Sequence, residues 1–153
     1  MIHRPNRTRG RSDLFCYGTL QIPAVMLAVI GRHPRGQPAE VRGYGAFEVR
    51  RAEYPGLRPT PRQITGGRVY FGLTATELAV LDRFEGQLYR RGRLTVLTGD
   101  GRRRGAWVYV VKPSRRQCLT PRRWSLREFR RRRYRRSMQR FVHDRRAVFD
   151  ATG

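Results

Sequence analysis

The sequence predicts an α+β domain: a mixed, strongly curled or barrel-like sheet of about five to six strands, with short helices and a basic C-terminal helix. Three observations lead to this prediction. Short β-prone runs bounded by glycine or proline recur along residues 13–113, only two segments between them carry helical signals, and glycines interrupt the strands where a sheet can curl. The 153 residues, 39% of them hydrophobic, are enough for one domain with a single core.

The amino-terminal part of this domain predicts a strand, a tight turn and a helix. Residues 14–17 are a β-prone run that stops at Gly18. Pro23 stands where the first turn of a helix tolerates proline, and the apolar residues 24–30 follow it. The order of these signals therefore indicates a strand that turns directly into a helix.

The next segments predict two strands separated by a loop. Residues 41–49 are typical of a strand that glycines interrupt. Residues 54–59 are rich in proline and glycine and predict a loop. Residues 67–73 then predict a third strand, with Val69, Phe71 and Leu73 on one face.

A helix and a hairpin complete the predicted domain. Thr74 and Glu77 form a capping box, in which the hydroxyl and the carboxylate each satisfy a free amide at the helix start. We expect this helix to end near Gly86. Two further strands are predicted at residues 88–97 and 106–111. Residues 98–101 predict the hairpin turn between them.

Positive charge is distributed unevenly along the chain, which has a net charge of +23. Residues 1–12 carry +4 and predict a flexible basic arm. Residues 13–113 carry +8 and form the predicted domain, and residues 114–153 carry +11. The last segment is helical in composition from Pro121 onward, which predicts an arginine-rich helical extension.

Three interpretations of this extension stay open. It is a solvated helix that packs by a weak apolar face, a nucleic-acid-binding surface with interleaved aromatic residues, or a docking surface for an acidic protein or a membrane surface. Lys112 is the only lysine in the chain. Because a bias toward arginine arises from codon composition as readily as from selection for a partner, composition does not choose among them.

Composition excludes several classes of protein. The longest apolar run, residues 22–30, is far shorter than the roughly 20 residues that span a bilayer, so no membrane span is expected. No small-residue cleavage site follows it, which favours a cytoplasmic protein with reduced thiols. Cys16 and Cys118 lack the spacing of metal ligands, and no metal site is predicted.

Two segments combine into a more specific pattern. The first is FCYGTL at residues 15–20, and the second is LDRFEG at residues 81–86, followed by YRR at residues 89–91. Together with AWVYV at residues 106–110 they resemble the gamma-glutamylcyclotransferase-like family, whose members carry Y-G-T-L after the first strand and L-D-x-x-E-G before Y-x-R. The segment YPGL at residues 54–57 is similar to a Y-P-A-L-like loop of the family, with Gly56 in place of alanine. The resemblance covers roughly residues 13–111 and implies the family's fold.

The resemblance also implies a function. It assigns Glu85 to catalysis as the acid/base, and Tyr17, Gly18, Thr19 and Leu20 to binding the γ-glutamyl carboxylate of a small-molecule substrate through backbone amides. The implied reaction is intramolecular attack of the substrate's α-amine on its γ-carbonyl, which releases 5-oxoproline and a free amine without metal or cofactor. The alternative is a basic module for nucleic acid or another polyanion, such as an acidic protein, in which this pocket is inactive or incidental.

The physical chemistry of these residues fits such roles. A turn that contains glycine lets successive N–H groups converge on an anion, and a helix start beside it adds partial positive charge. Glu85 is predicted at a helix end, where free carbonyls disfavour a negative carboxylate and are expected to raise its pKa. Asp82, on the same helical face, is interpreted as an ion-pair or capping residue or as a carboxylate coupled to Glu85.

Overall fold

Six strands and two α-helices, followed by a helical segment that begins at residue 126, make up the fold in the computed structural model, which describes residues 10–131. The strands are β1 Arg11–Cys16, β2 Gly36–Val49, β3 Pro55–Thr74, β4 Tyr89–Thr98, β5 Arg103–Val111 and β6 Leu119–Arg123. The helices are α1 Pro23–Ile30 and α2 Ala75–Glu85, with short 3₁₀ segments at Thr19–Gln21 and Pro113–Cys118. The predicted mixed α+β class with a curled sheet is confirmed.

One continuous sheet joins all six strands in the order β3-β1-β5-β4-β2-β6. Since β3 also pairs with β2, the sheet curls back on itself into a barrel-like form. The pairings are antiparallel except for β1 with β5, which run parallel with Leu14 opposite Trp107 and Phe15 opposite Val108. This parallel register brings the end of β1 beside the second half of β5, where the candidate site forms.

Alternate residues at the end of β1 and directly after it contribute to two hydrophobic cores. Leu14 and Cys16 belong to the core that the sheet shares with α1 and α2. Phe15 and Tyr17 belong to a second core on the other face of the curled sheet. Because side chains of a strand alternate between faces, one β-prone run of four residues contributes to both cores.

The helix α2 begins and ends at the residues that the sequence predicts. Thr74 is its N-cap, with the Thr74 hydroxyl accepting from the Glu77 amide (3.1 Å) and the Glu77 carboxylate accepting from the Thr74 amide (3.0 Å). Gly86 follows the last helical residue with a φ of 77°, a conformation that favours glycine. The predicted capping box and helix end are therefore confirmed, as is the hairpin between β4 and β5.

The predicted loop at residues 54–59 is wrong. Residues from Pro55 onward belong to β3 and pair with β2, with Glu48 opposite Pro55 and Ala46 opposite Leu57. Pro55 is the first residue of its strand, one of the few strand positions that tolerate proline. Partners on the long β2 ladder and burial of the Leu57 side chain outweigh the local proline and glycine signal.

The boundaries predicted for the domain are too narrow. Residues 11 and 12 lie in β1 rather than in a flexible arm, whereas residues 1–9 are outside the described part. Beyond residue 113, β6 pairs with β2, so the sheet continues where an extension was predicted. The helical conformation begins at residue 126 rather than at Pro121, and the remainder of the predicted helix, residues 132–153, lies outside the described residues.

Candidate functional site

A cavity at the end of β1 brings together the two segments that the sequence singled out. Glu85 lines it together with Tyr17, Gly18, Thr19 and Leu20. The cavity has about 350 Å³ of empty space, its open mouth included. Among the described residues that line it, Glu85 is the only one with a charged side chain.

The end of α2 determines where Glu85 lies. Leu81 and Phe84 are buried between the helix and the sheet, which fixes the rotation of the last helical turn. Gly86 ends the helix and donates its N–H to the Asp82 carbonyl at 3.1 Å. Glu85, the last helical residue, is therefore half-buried at the cavity wall.

The loop after β1 is held by its carbonyl groups. The Gly18 carbonyl accepts from the backbone and side-chain nitrogens of Gln21, both at 3.1 Å. The Leu20 carbonyl accepts from the Tyr70 hydroxyl at 2.9 Å. A Cβ at Gly18 would lie 3.0 Å from two ring carbons of Pro55, so glycine allows close packing of the loop against the opposite wall.

The Tyr17 hydroxyl forms two hydrogen bonds inside the protein. It donates to the Tyr109 carbonyl at 2.6 Å and accepts from the Leu57 amide at 3.1 Å. These bonds join β1, β3 and β5 inside the protein. The Tyr17 side chain therefore has a structural role, and any contact of this hydroxyl with a substrate would compete with these two bonds.

Four aromatic residues that were not predicted from the sequence as site residues complete the cavity. They are Phe15, Tyr54, Tyr89 and Tyr109. The sequence contained a signal for three of them, because Tyr54 is in the YPGL segment, Tyr89 is in the Y-x-R motif and Tyr109 is in the AWVYV segment at residues 106–110. With Phe15 in the FCYGTL segment, these residues come from four separate segments that meet only in the folded chain.

Two hydrogen bonds hold the wall opposite the loop. The Tyr89 hydroxyl donates to the Pro55 carbonyl at 2.6 Å. The Trp124 indole N–H donates to the Glu53 carbonyl at 3.0 Å. The segment that follows β6 thus supports the residues that form this wall, although residues 119–131 do not themselves line the cavity.

Burial keeps two further polar groups of the cavity neutral. Burial, and to a smaller extent the charge of Glu85, raises the pKa of the Cys16 thiol well above its usual range. A buried protonated thiol is a poor nucleophile, which agrees with a structural role for Cys16. Burial also raises the pKa of Tyr109, and the hydrogen bond to Asp82 adds to this effect. Among the described residues, no cluster of three His, Cys, Asp or Glu residues suits a metal ion.

The sequence matches the family model described as "Gamma-glutamyl cyclotransferase, AIG2-like" over residues 14–142. This match covers most of the chain. The chain belongs to the AIG2-like gamma-glutamyl cyclotransferase family. The match also extends past residue 113, which agrees with a sheet that includes β6.

Relatives within the family share part of their length with this chain. An AIG2-like protein C of Arabidopsis thaliana is 35% identical over 88 residues, which are 58% of this chain and 51% of that protein. A Methanocaldococcus jannaschii protein named as a gamma-glutamylcyclotransferase and putative RNase is 28% identical over 105 residues, 67% of this chain and 47% of its own length. The chain therefore spans about half the length of these relatives.

Solved structures share the family fold. A solution structure of an Arabidopsis thaliana protein superposes with a TM-score of 0.65 at 24% identity, covering 86% of this chain and 89% of that one. An AIG2-like protein from Mus musculus gives a TM-score of 0.58 at 20% identity, covering 76% and 89%. At these identities the likeness shows the fold alone. Within residues 10–131, none of the helices has the length and apolar character needed to cross a membrane.

Proposed function

We propose that this family member is a gamma-glutamylcyclotransferase-like enzyme that cleaves a γ-glutamyl amide or amine and releases 5-oxoproline and a free amine. Family membership supports the class of reaction. The observation that carries the proposal is that Glu85 and the loop of residues 17–20 line one cavity, although more than 60 residues separate them in the chain.

The reaction requires little from the protein beyond geometry. The nucleophile is the substrate's own α-nitrogen, so the enzyme must hold the chain in the ring-closing conformation. Glu85 accepts a proton from the α-ammonium, and the free amine then attacks the γ-carbonyl carbon. The bond from that carbon to the leaving nitrogen breaks as Glu85 returns the proton to this nitrogen, and the ring nitrogen releases its second proton to water, which leaves the neutral lactam.

The loop supplies the complementary part of the site. Gly18 brings backbone close to the cavity without a Cβ, and N–H groups at the start of a helical turn lack partners within that turn. Such amides bind the substrate carboxylate or the oxyanion that develops at the γ-carbonyl. The negative Glu85 and the neutral aromatic walls favour a substrate whose α-nitrogen is cationic.

A screen of γ-glutamyl amines for 5-oxoproline formation tests the proposal. We expect turnover with at least one substrate, and a loss of about 10²- to 10⁴-fold in kcat for Glu85→Gln. Glu40→Gln is the matched control, because it removes one carboxylate from an exposed ion pair on β2. Unimpaired 5-oxoproline release by a folded Glu85→Gln variant would remove Glu85 from the mechanism.

A further inference from the structure

A second carboxylate, Asp82, lies one helical turn before Glu85 on α2. The reaction proposed above does not use it, yet its oxygens have three donors. Arg91 donates from Nε to Oδ1 at 2.8 Å and from a terminal nitrogen to Oδ2 at 3.2 Å. The Tyr109 hydroxyl donates to Oδ1 at 2.8 Å. Asp82 is therefore fixed in direction and neutralised in charge.

Arg91 is itself held against the sheet. Its guanidinium carbon lies 4.3 Å from the ring centre of Trp107. Its side chain is 23% exposed and that of Asp82 is 42% exposed, so water screens this pair only in part. The two-pronged contact with a carboxylate and the stacking on an indole are both geometries that arginine makes and lysine does not.

Tyr109 connects this pair to the cavity. It lies opposite Arg91 in the ladder between β4 and β5, and it lines the cavity together with Glu85. Its hydroxyl proton is committed to Asp82, so its oxygen offers lone pairs to any N–H group bound nearby. An oxygen in this state accepts a hydrogen bond from an ammonium group.

The other titratable groups around Glu85 come from each neighbouring element. They are Cys16 and Tyr17 at the end of β1, Tyr54 before β3, and Tyr89 in β4. None of these side chains is a carboxylate or a guanidinium group. Arg83 on α2 is exposed. Asp82 and Arg91 are thus the pair of opposite charges that the structure joins to the cavity wall through Tyr109.

We propose that Arg91 is a positioning residue for Glu85: it cancels the charge of Asp82 one turn away and, through Asp82, orients the Tyr109 hydroxyl as an acceptor in the cavity. Its importance for turnover rests on the function proposed above, whereas its electrostatic effect on Glu85 does not. Loss of Arg91 leaves a bare carboxylate beside Glu85, which disfavours ionisation of Glu85. Loss of the Asp82 charge leaves a bare guanidinium, which favours it.

Three variants test the proposal by the opposite signs of their effects. We expect Arg91→Met to raise the titration midpoint of Glu85 by about 0.5–1 pH unit and Asp82→Asn to lower it by a similar amount. The double variant is expected to return within about 0.3 unit of the unmodified protein, since neither charge remains. The midpoint is measured by ¹³C NMR on protein labelled at glutamate carboxyl carbons, with the Glu85 signal assigned by its loss in Glu85→Gln.

The same variants are then assayed for 5-oxoproline release as a function of pH. We expect the acid limb of kcat to move in the direction of the NMR midpoint in each variant. A purely structural defect lowers kcat but does not move the limb in opposite directions. Arg93→Met is the matched control: it removes an arginine of β4 that also lies over Trp107, and among the described residues Arg93 makes no ion pair. In this variant we expect the titration midpoint of Glu85 to stay within about 0.2 pH unit of that in the unmodified protein.

The outcomes separate the two proposals. Displacements of equal sign in both single variants, or none, would overturn the role of Arg91 even if the enzyme is active. If no γ-glutamyl compound is turned over, the proposed function falls, and the NMR titration still decides whether Arg91 and Asp82 control Glu85.

Discussion

Replacing Tyr17 by phenylalanine tests whether this residue of the Y-G-T-L segment is structural. The change removes one hydroxyl that donates to the Tyr109 carbonyl and accepts from the Leu57 amide. Each of these buried backbone groups loses a partner, and an unsatisfied buried group costs about 1–3 kcal/mol. We expect the free energy of unfolding to fall by about 2–4 kcal/mol and, for a chain of this size, the Tm to fall by about 4–16 °C.

Urea titration followed by circular dichroism measures this loss. Tyr44→Phe is the matched control, because the half-buried Tyr44 hydroxyl makes no hydrogen bond to any described residue, and a change below about 0.5 kcal/mol is expected there. The reasoning would be refuted if Tyr17→Phe were as stable as the unmodified protein. An unchanged stability combined with a higher KM would instead show that the hydroxyl contacts the substrate.

Two further changes test the packing beside the site and the ion pair at the start of α2. Gly56→Ala is expected to cost about 1–3 kcal/mol, because its Cβ would lie 2.3 Å from Val111 Cγ2, and adding Val111→Ala should recover part of this loss in the same titration. The Arg32 hydrogen bond lowers the pKa of Glu77, so the stability that Glu77 confers is present above the unfolded-state pKa and is lost as the pH falls through the folded one. Glu77→Gln should therefore lose less stability between about pH 5 and pH 3 than the unmodified protein, and parallel pH profiles of the two proteins would contradict this.

The parts of the fold that short-range signals determine were predictable from the sequence. Thr74 and Glu77 satisfy free amides within one helical turn, and the turn between β4 and β5 needs only its own glycines and Asp100. Such elements require no knowledge of distant partners. Residues 54–59 are the opposite case, because their strand depends on a ladder with β2 that no local signal contains.

The segment after residue 113 shows a second limit of sequence reasoning. The composition from Pro121 onward predicted a helix, yet the first of these residues form a short edge strand against β2. Helix propensity is a weak prior, and a free edge of β2 outweighs it. Proline and arginine on this strand also suit an edge position, since both oppose pairing with another chain.

The candidate site depends on the registers between strands, which cannot be read from the sequence motifs alone. Tyr109 reaches the cavity, and Arg91 reaches Asp82, because the two residues are opposite each other in the ladder of β4 and β5. A slip of one residue in this pairing would turn the side chains of one of the two strands to the other face of the sheet, and Arg91 and Tyr109 would no longer lie side by side. The YRR segment at residues 89–91 and the AWVYV segment at residues 106–110 therefore act together. Each segment fixes which of its side chains face α2, and only the register between the two strands determines whether Asp82 has a counterion. Glu85 lies within a single motif, whereas Arg91 and Tyr109, which contact Asp82, lie on two different strands.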